Sequence, residues 1–397
     1  DLVSSYAGDG TSSIFIQDAQ LEEGLVAQPY IETTTAAVYE GITDNLPRLD
    51  YSGGASCPSL LLEPQRTNTY TNSEYFDDWL SNRLDGTANN IISPEGVQNA
   101  YKMAQQSGFT TAPNINKGGI AAGTYTISIF AKKGSWNHLA ISFQGVSYFN
   151  LETGSKGTIN SNHTATIEDY GNGWYRCAIT RTTTTTQTPA FYFAESDNTL
   201  TTPDTQGYMY TYGAQLEAGS YPTSYIPTYG TSASRAVDDG YKVLPDSILG
   251  TDYNEGTLFF EAELNQEAIT RAVSIVSPFW TTSSVRIECT PSTGLFACDI
   301  VNAGVGATGT TISVSPLSKG DTIKCALAWN NGSFVFYANG QSTSGTCPIM
   351  TTKINNLYLN RLGTFGGGGN YASNDFKQVL AFPTALTNAE LATLTTI

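Results

Sequence analysis

Apolar and polar residues alternate with a period of two along most of the chain, the mark of strands with one buried face. Over residues 124–131, Tyr125, Ile127 and Ile129 fall on one face and Thr124, Thr126 and Ser128 on the other. After Lys132-Lys133-Gly134-Ser135 the apolar face resumes at Leu139, Ile141 and Phe143. Residues 173–180 and 190–194 read as two further strands, set off by turn residues at Thr153-Gly154 and Gly171-Asn172-Gly173. Residues 182–186 are five threonines, and a β-branched run suits an exposed strand better than a linker.

The same pattern restarts near Asp238. Between 256 and 264, Leu258, Phe260, Ala262 and Leu264 form one face, and Thr257, Phe259, Glu261 and Glu263 the other. Asn331-Gly332 separates two apolar runs, the strongest short hairpin signal, and a two-residue turn there opposes Trp329 to Phe334 and Leu327 to Phe336. Phe376, Leu380 and Phe382 alternate along a last strand, and Thr387-Asn388-Ala389-Glu390 offers a capping box for one short helix. The expected fold class is all-β, as tandem antiparallel β-sandwiches.

A long internal repeat sets the domain plan. Ala19-Gln20-Leu21-Glu22, followed by Tyr30-Ile31, returns at an offset of 195 as Ala214-Gln215-Leu216-Glu217, followed by Tyr225-Ile226. A period of this length is a whole domain. Residues 1–45 then read as the closing piece of one module plus a linker, 46–235 as a complete copy, and 236–397 as a separate sandwich.

Composition narrows the function classes. With 14% charged residues, 38 Gly, 23 Tyr and 17 Phe in 397 residues, a coiled coil and a disordered chain are both excluded. The formal charge of −16 leaves no basic footprint for a phosphate backbone, so nucleic acid is not an expected partner. No apolar run reaches the length that spans a bilayer, and membrane insertion is not expected. Asp1 stands where an initiator Met would, so the chain is read as a processed or truncated piece. The six cysteines include no C-x-x-C, and only His138 and His163 could add imidazole, so no zinc site is expected. Cys289 and Cys298 could meet across a hairpin turning at Thr293-Gly294, but reduced, packed thiols are favoured.

Several strings carry a resemblance. Pro47-Arg48-Leu49-Asp50-Tyr51, the run Leu60 to Asn68 (LLLEPQRTN), Ser93-Pro94-Glu95-Gly96, Gly171-Asn172-Gly173-Trp174-Tyr175-Arg176-Cys177 and Gly213-Ala214-Gln215-Leu216-Glu217 are similar to stretches of bacteriophage virion proteins. Those proteins carry jelly rolls resembling carbohydrate-binding modules. Glu255-Gly256-Thr257-Leu258-Phe259, Trp329 to Gly332, Asn339-Gly340 and Leu386 to Leu391 resemble a concanavalin A-like (laminin-G-like) lectin/glucanase domain. The resemblance implies a jelly roll followed by a concanavalin A-like sandwich in a virion fibre or appendage, on the surface of the particle. It also implies a homotrimer whose partners are other virion proteins and host-surface polysaccharide. It supplies no fixed set of ligand residues.

Candidate sites therefore rest on chemistry. Sugars are held by aromatic faces with amides and carboxylates beside them. Trp136 with Asn137, and Trp79 with Asn82, fit that description in the middle domain, although most tryptophans are largely buried. In the last domain Phe365, Asn370 and Tyr371 flank four glycines in a loop. Glu261 and Glu263, two apart on one strand, would place their Cα atoms ~7 Å apart, a starting geometry for a glycosidase pair. The segment lacks the intervening Asp such enzymes use, and a non-enzymatic protein is favoured. No cofactor is expected; a structural calcium would draw on Asn68, Glu74, Asp77 and Asp78. The expected function is glycan binding by a phage appendage. A glycan-depolymerising tailspike and a purely structural capsid or collar fibre are the alternatives.

Overall fold

A strand with one apolar face hides it only against a second sheet, and this chain does so twice. The computed structural model describes residues 48–50, 58–202, 207–238, 240–249, 253–264, 271–276, 283–303, 305–318, 320–359 and 374–397. The expected remnant of a preceding module (1–45), Cys57, and the Phe365, Asn370 and Tyr371 loop lie outside these residues. Its regular structure is almost entirely antiparallel strand, in two sandwiches with separate cores. The all-β expectation holds.

The first sandwich has a back sheet in the order Thr164–Asp169, Trp174–Thr183, Gly123–Lys133, Tyr208–Ala218, Ala100–Gln105, Leu84–Ile91. Its front sheet runs Ser155–Lys156, Val146–Asn150, His138–Ser142, Ala190–Ala194, Asn114–Asn116, Leu80–Asn82. Ile127, Ile129, Cys177 and Ile179 from the back meet Leu139, Ile141, Phe149, Phe191 and Phe193 from the front. The threonine run joins the sheet only as far as Thr183.

The repeated Ala-Gln-Leu-Glu motif has a physical role. Ala214 and Leu216 point into the core, so Gln215 and Glu217 face the other side of the back sheet, where they are fully buried. There they clasp the segment that leaves the strand. The Gln215 Oε1 accepts from the Ile226 amide at 2.7 Å, and Glu217 accepts from the Thr223 amide at 2.9 Å and its hydroxyl at 2.7 Å. Arg176 donates to the Thr223 carbonyl at 2.7 Å, and Asn68 to the carbonyls of Ala214 and Ile226. Two carboxamides, a carboxylate and a guanidinium thus replace water on a sheet face that would otherwise need apolar cover.

The expected boundary at 45/46 is corrected by the strand pairing. Leu49–Asp50 and Ser59–Leu62 pair into the seven-stranded sheet of the second sandwich, where Leu60 stands opposite Phe376, and Leu62 joins that sandwich's core. Among the described residues the chain enters the second sandwich first, leaves it after Leu62, builds the first sandwich, and returns at Gly240–Val243. The first sandwich is an insertion in the second, and the order is nested where a tandem order was expected. Its neck is a strand pair, Arg66–Asn68 against Ala233–Arg235. Below the neck the Glu63 carboxylate, nearly enclosed, receives Arg48 at 2.8 Å, Arg235 at 3.0 Å and the Ser224 amide at 2.9 Å. Asp238 accepts from the Glu63 amide at 2.7 Å and also pairs with Arg48.

The second sandwich sets the seven strands Leu49–Asp50, Ser59–Leu62, Asn374–Phe382, Glu255–Leu264, Thr322–Asn330, Ser333–Ala338, Gln341–Thr346 against a six-stranded sheet. Trp329 pairs with Phe334 and Leu327 with Phe336 around the Asn331-Gly332 turn, and all four are core. The last strand departs from simple alternation. A bulge opposite Glu261/Ala262 turns Phe376, Val379 and Ala381 to the main core and Leu380 to the opposite face, so Phe376 and Leu380 do not share a side. Cys289 and Cys298 flank the expected turn but stand opposite Phe296 and Ile287. The five described cysteines are free thiols, four of them buried.

The helix Asn388–Thr395 covers Phe259 with Leu391, and Thr387 and Glu390 form the expected capping box. Replacing Thr387 with Ala removes the acceptor for the Glu390 amide. We expect a loss of about 1 kcal/mol, read as a lower urea midpoint with unchanged slope.

Candidate functional site

The front sheet of the first sandwich has an outer face, and the strand register assembles a site on it. Because Phe191 and Phe193 enter the core, Tyr192 between them points outward. By the same alternation Ala140 lies between Leu139 and Ile141, Tyr148 precedes the inward Phe149, and Asn114 precedes the inward Ile115. Register then lines these outward residues up. Tyr148 is opposite Ala140, Ala140 opposite Tyr192, Tyr192 opposite Asn114, and Asn114 opposite Asn82. Five strands at ~4.8 Å spacing make a row of roughly 19 Å.

The flanking level holds Val146, Ser142, Ala190, Asn116 and Leu80. The far level holds Asn150, His138 and Ala194. Alanines and a serine in the middle strands keep the floor low between taller tyrosines and asparagines. Leu80 stands 67% exposed at the rim.

The polar groups of this face are underused by the protein. Asn114 is 6% exposed, and among the described residues neither its amide nor that of Asn82 has a hydrogen-bond partner. Asn116 Oδ1 is buried without a donor. Carboxamides left unpaired in a partly enclosed place are free to exchange hydrogen bonds with a ligand's hydroxyls.

The two ends differ in charge. Lys117 pairs with Asp78 at 2.6 Å near Asn82. At the Tyr148 end, Asp197 accepts from the Thr158 amide and hydroxyl at 2.9 Å each. Burial works against the Asp197 charge, but those two bonds prevail and hold its carboxyl below the usual range. Burial next to Asp197 pushes the Tyr148 phenol up, so the ring stays neutral. The face therefore offers the partly exposed Tyr192 ring and amides, with a charged carboxylate, Asp197, at its Tyr148 end.

The sequence-derived residues are only partly brought here. Asn82 lies in the row, and Asn137 sits at its His138 end with Oδ1 2.7 Å from His138 Nδ1. Trp136 and Trp79 are corrected: at 2% and 4% exposure neither offers a stacking face. A side chain at Gly207 would meet the Trp136 ring at 2.0 Å, so that ring packs flat on backbone. Trp79 joins Tyr70, Phe76 and Phe191 with its indole N–H on the Asn72 carbonyl at 3.0 Å, beneath the strand that carries Tyr192. Tyr192, Tyr148 and Asn114 went unnoticed, although alternation around Phe191 and Phe193 carried the signal for the first.

Other candidates dissolve into structure. Glu261 faces Lys324 at 3.8 Å and Glu263 faces Lys377 at 2.8 Å. The calcium candidates are dispersed: Asn68 binds backbone at the clasp, Glu74 lies among tyrosine hydroxyls, Asp77 is exposed, and Asp78 pairs with Lys117 and Asn72. Among the described residues no three His, Cys, Asp or Glu side chains come together as a metal cluster.

No family model matches the chain, and no curated protein matches it. Among solved structures, the CBM40 of Ruminococcus gnavus IT-sialidase is similar over 40% of this chain and 94% of its own, at 16% identity and a TM-score of 0.33. An SAP-like pentraxin of Limulus polyphemus is similar over 36% of this chain and 70% of its own, at 12% identity and a TM-score of 0.29. Lactose-liganded congerin II is similar over 36% and 99%, at 14% identity and a TM-score of 0.26. The sandwich architecture is read from the strands themselves, and no site residue is transferred from these proteins.

Proposed function

We propose that this chain is a non-enzymatic, glycan-binding segment of a bacteriophage virion fibre or appendage, displayed on the particle surface. The observation that carries the binding reading is the Tyr192–Asn114–Asn82 row: an aromatic ring beside amides without a partner among the described residues, on the outer face of the front sheet. Neutral sugars fit it, since a pyranose stacks its C–H face on a ring while its hydroxyls take amide bonds. The virion setting is supported by the strings from Pro47 to Asn68 and from Gly213 to Glu217, which resemble phage appendage proteins. Weak single sites gain avidity when a trimer presents three and a particle many. The two lysine-paired glutamates supply no poised acid and nucleophile, which favours binding without cleavage.

A glycan array probed with the protein tests this. Wild type should bind neutral oligosaccharides, and Tyr192→Ala should bind about tenfold more weakly, a loss of ~1.4 kcal/mol, while keeping its melting temperature within a few degrees. An array silent to wild type across host polysaccharides would sink the reading. New reducing ends after incubation with polysaccharide would favour the tailspike alternative.

A further inference from the structure

One arginine stands apart from the other ionic groups. Arg181 lies on the strand Trp174–Thr183, whose Cys177 and Ile179 point into the first core. Register runs unbroken to the end of that strand, so Arg181 and Thr183 continue the same inward face at its last residues. Arg181 is opposite Tyr125 and Thr183 opposite Gly123. Its Nε and Nη1 are buried without a hydrogen-bond partner, and among the described residues no carboxylate pairs with it. Thr183, 3% exposed, has a buried hydroxyl that is likewise unpartnered. Two polar groups two residues apart, on one inward face, are therefore left with no protein acceptor.

His163 does not fill the role. Its Nε2 donates to the Phe143 carbonyl at 2.9 Å and its Nδ1 accepts from the Ser147 hydroxyl at 2.7 Å. Burial holds the ring neutral, and the nearby Arg181 charge acts in the same direction. A half-enclosed guanidinium with no counter-charge is costly, and water alone leaves its charge uncompensated.

We propose that the Thr183 end of the strand Trp174–Thr183 is a carboxylate-binding site, in which the Arg181 guanidinium and the Thr183 hydroxyl hold one monoanionic group. A single guanidinium matches a single charge, and its planar fork matches a planar carboxylate. The chain's formal charge of −16 disfavours a multiply charged anion such as phosphate more than a monoanion. The carboxylate can belong to a small organic acid or to an acidic sugar residue, and the site is separate from the face around Tyr192.

The test is titration of the whole chain with sodium acetate, sodium glucuronate and glucose at fixed ionic strength, followed by melting temperature and by the Arg181 side-chain N–H signals in NMR. Acetate and glucuronate should raise the melting temperature of wild type and shift those signals, and glucose should leave the Arg181 signals unmoved. Arg181→Met should weaken the response at least tenfold and Thr183→Val several-fold. Glucuronate binding tenfold tighter than acetate identifies a sugar-borne ligand, and equal binding a free acid. No shift of the Arg181 signals with either carboxylate, or an undiminished response in Arg181→Met, overturns the proposal. The NMR arm needs only wild type, so a poorly folding variant does not block it.

Discussion

Replacing Glu63 with Ala is expected to destabilise the protein by roughly 3–5 kcal/mol, one of the two largest effects anticipated here. The carboxylate is nearly enclosed and serves Arg48, Arg235 and the Ser224 amide at once. Removing it leaves two guanidinium groups close together in a partly dry junction, with Asp238 as the remaining counter-charge near Arg48. Because Glu63 sits where the chain crosses between sandwiches, the loss should also uncouple them. A single denaturation transition followed by tryptophan fluorescence should divide in two, with Trp329 reporting one core and Trp79, Trp136 and Trp174 the other domain. The acid limb follows from the same geometry. Burial would raise the Glu63 pKa, but Arg235, Arg48 and the Ser224 amide outweigh it, and the net direction is downward. A carboxyl depressed in the folded state contributes stability above its unfolded value, which is lost as pH falls through the folded one. Glu63→Gln should flatten that acid limb. A midpoint unchanged in Glu63→Ala would show the junction to be dispensable.

This junction explains how the described residues between Arg48 and Asn68 serve two domains. Leu49, Leu60 and Leu62 serve the second sandwich, Glu63 and Arg48 the crossing, and Arg66 to Asn68 the neck. Nothing local announces this nesting. The partner of Leu60 is Phe376, more than three hundred positions later, and period-two alternation reports which way a side chain points without saying which sheet receives it. Hairpins are the opposite case. Asn331-Gly332 and the Thr387 capping box bind residues a few positions apart, so their pairings were readable in advance.

The binding face was half readable for a related reason. Tryptophan drew attention because its ring is large, yet size is also why Trp136 and Trp79 are drawn into a core. Tyr192 is marked outward by its two phenylalanine neighbours, but its place beside Asn114 and Ala140 depends on cross-strand register that separated segments do not reveal. Arg181 was hidden for the converse reason: an inward position in a threonine-rich tail reads as solvent-facing until the strand's core register is extended to it.

Raising the pH from 5 to 8 should weaken the protein through Glu74, by roughly 3 kcal/mol if that group acts alone. Glu74 is buried at the back of the first sandwich, where Oε1 accepts from the Tyr212 hydroxyl at 2.9 Å and the Tyr225 hydroxyl at 3.2 Å, and Oε2 from Tyr229 at 3.3 Å. Burial, and then the Glu95 charge, push its carboxyl up to about 7, and the tyrosine bonds only partly offset them. The folded state therefore holds a proton between the ordinary carboxylate value and about 7 that the unfolded chain has released. Its stabilising contribution is complete below the unfolded value and disappears as pH rises through the folded one. Glu74→Gln imitates the protonated acid, so its stability should match wild type near pH 5 and exceed it at pH 8. Denaturant midpoints of both proteins across that range decide the matter. Parallel curves would mean that the Tyr212, Tyr225 and Tyr229 hydroxyls solvate the charged carboxylate fully, and that Glu74 does not set the neutral limb. A gap that opens above the ordinary carboxylate value and levels off above about pH 7 would place the titration on this one buried acid.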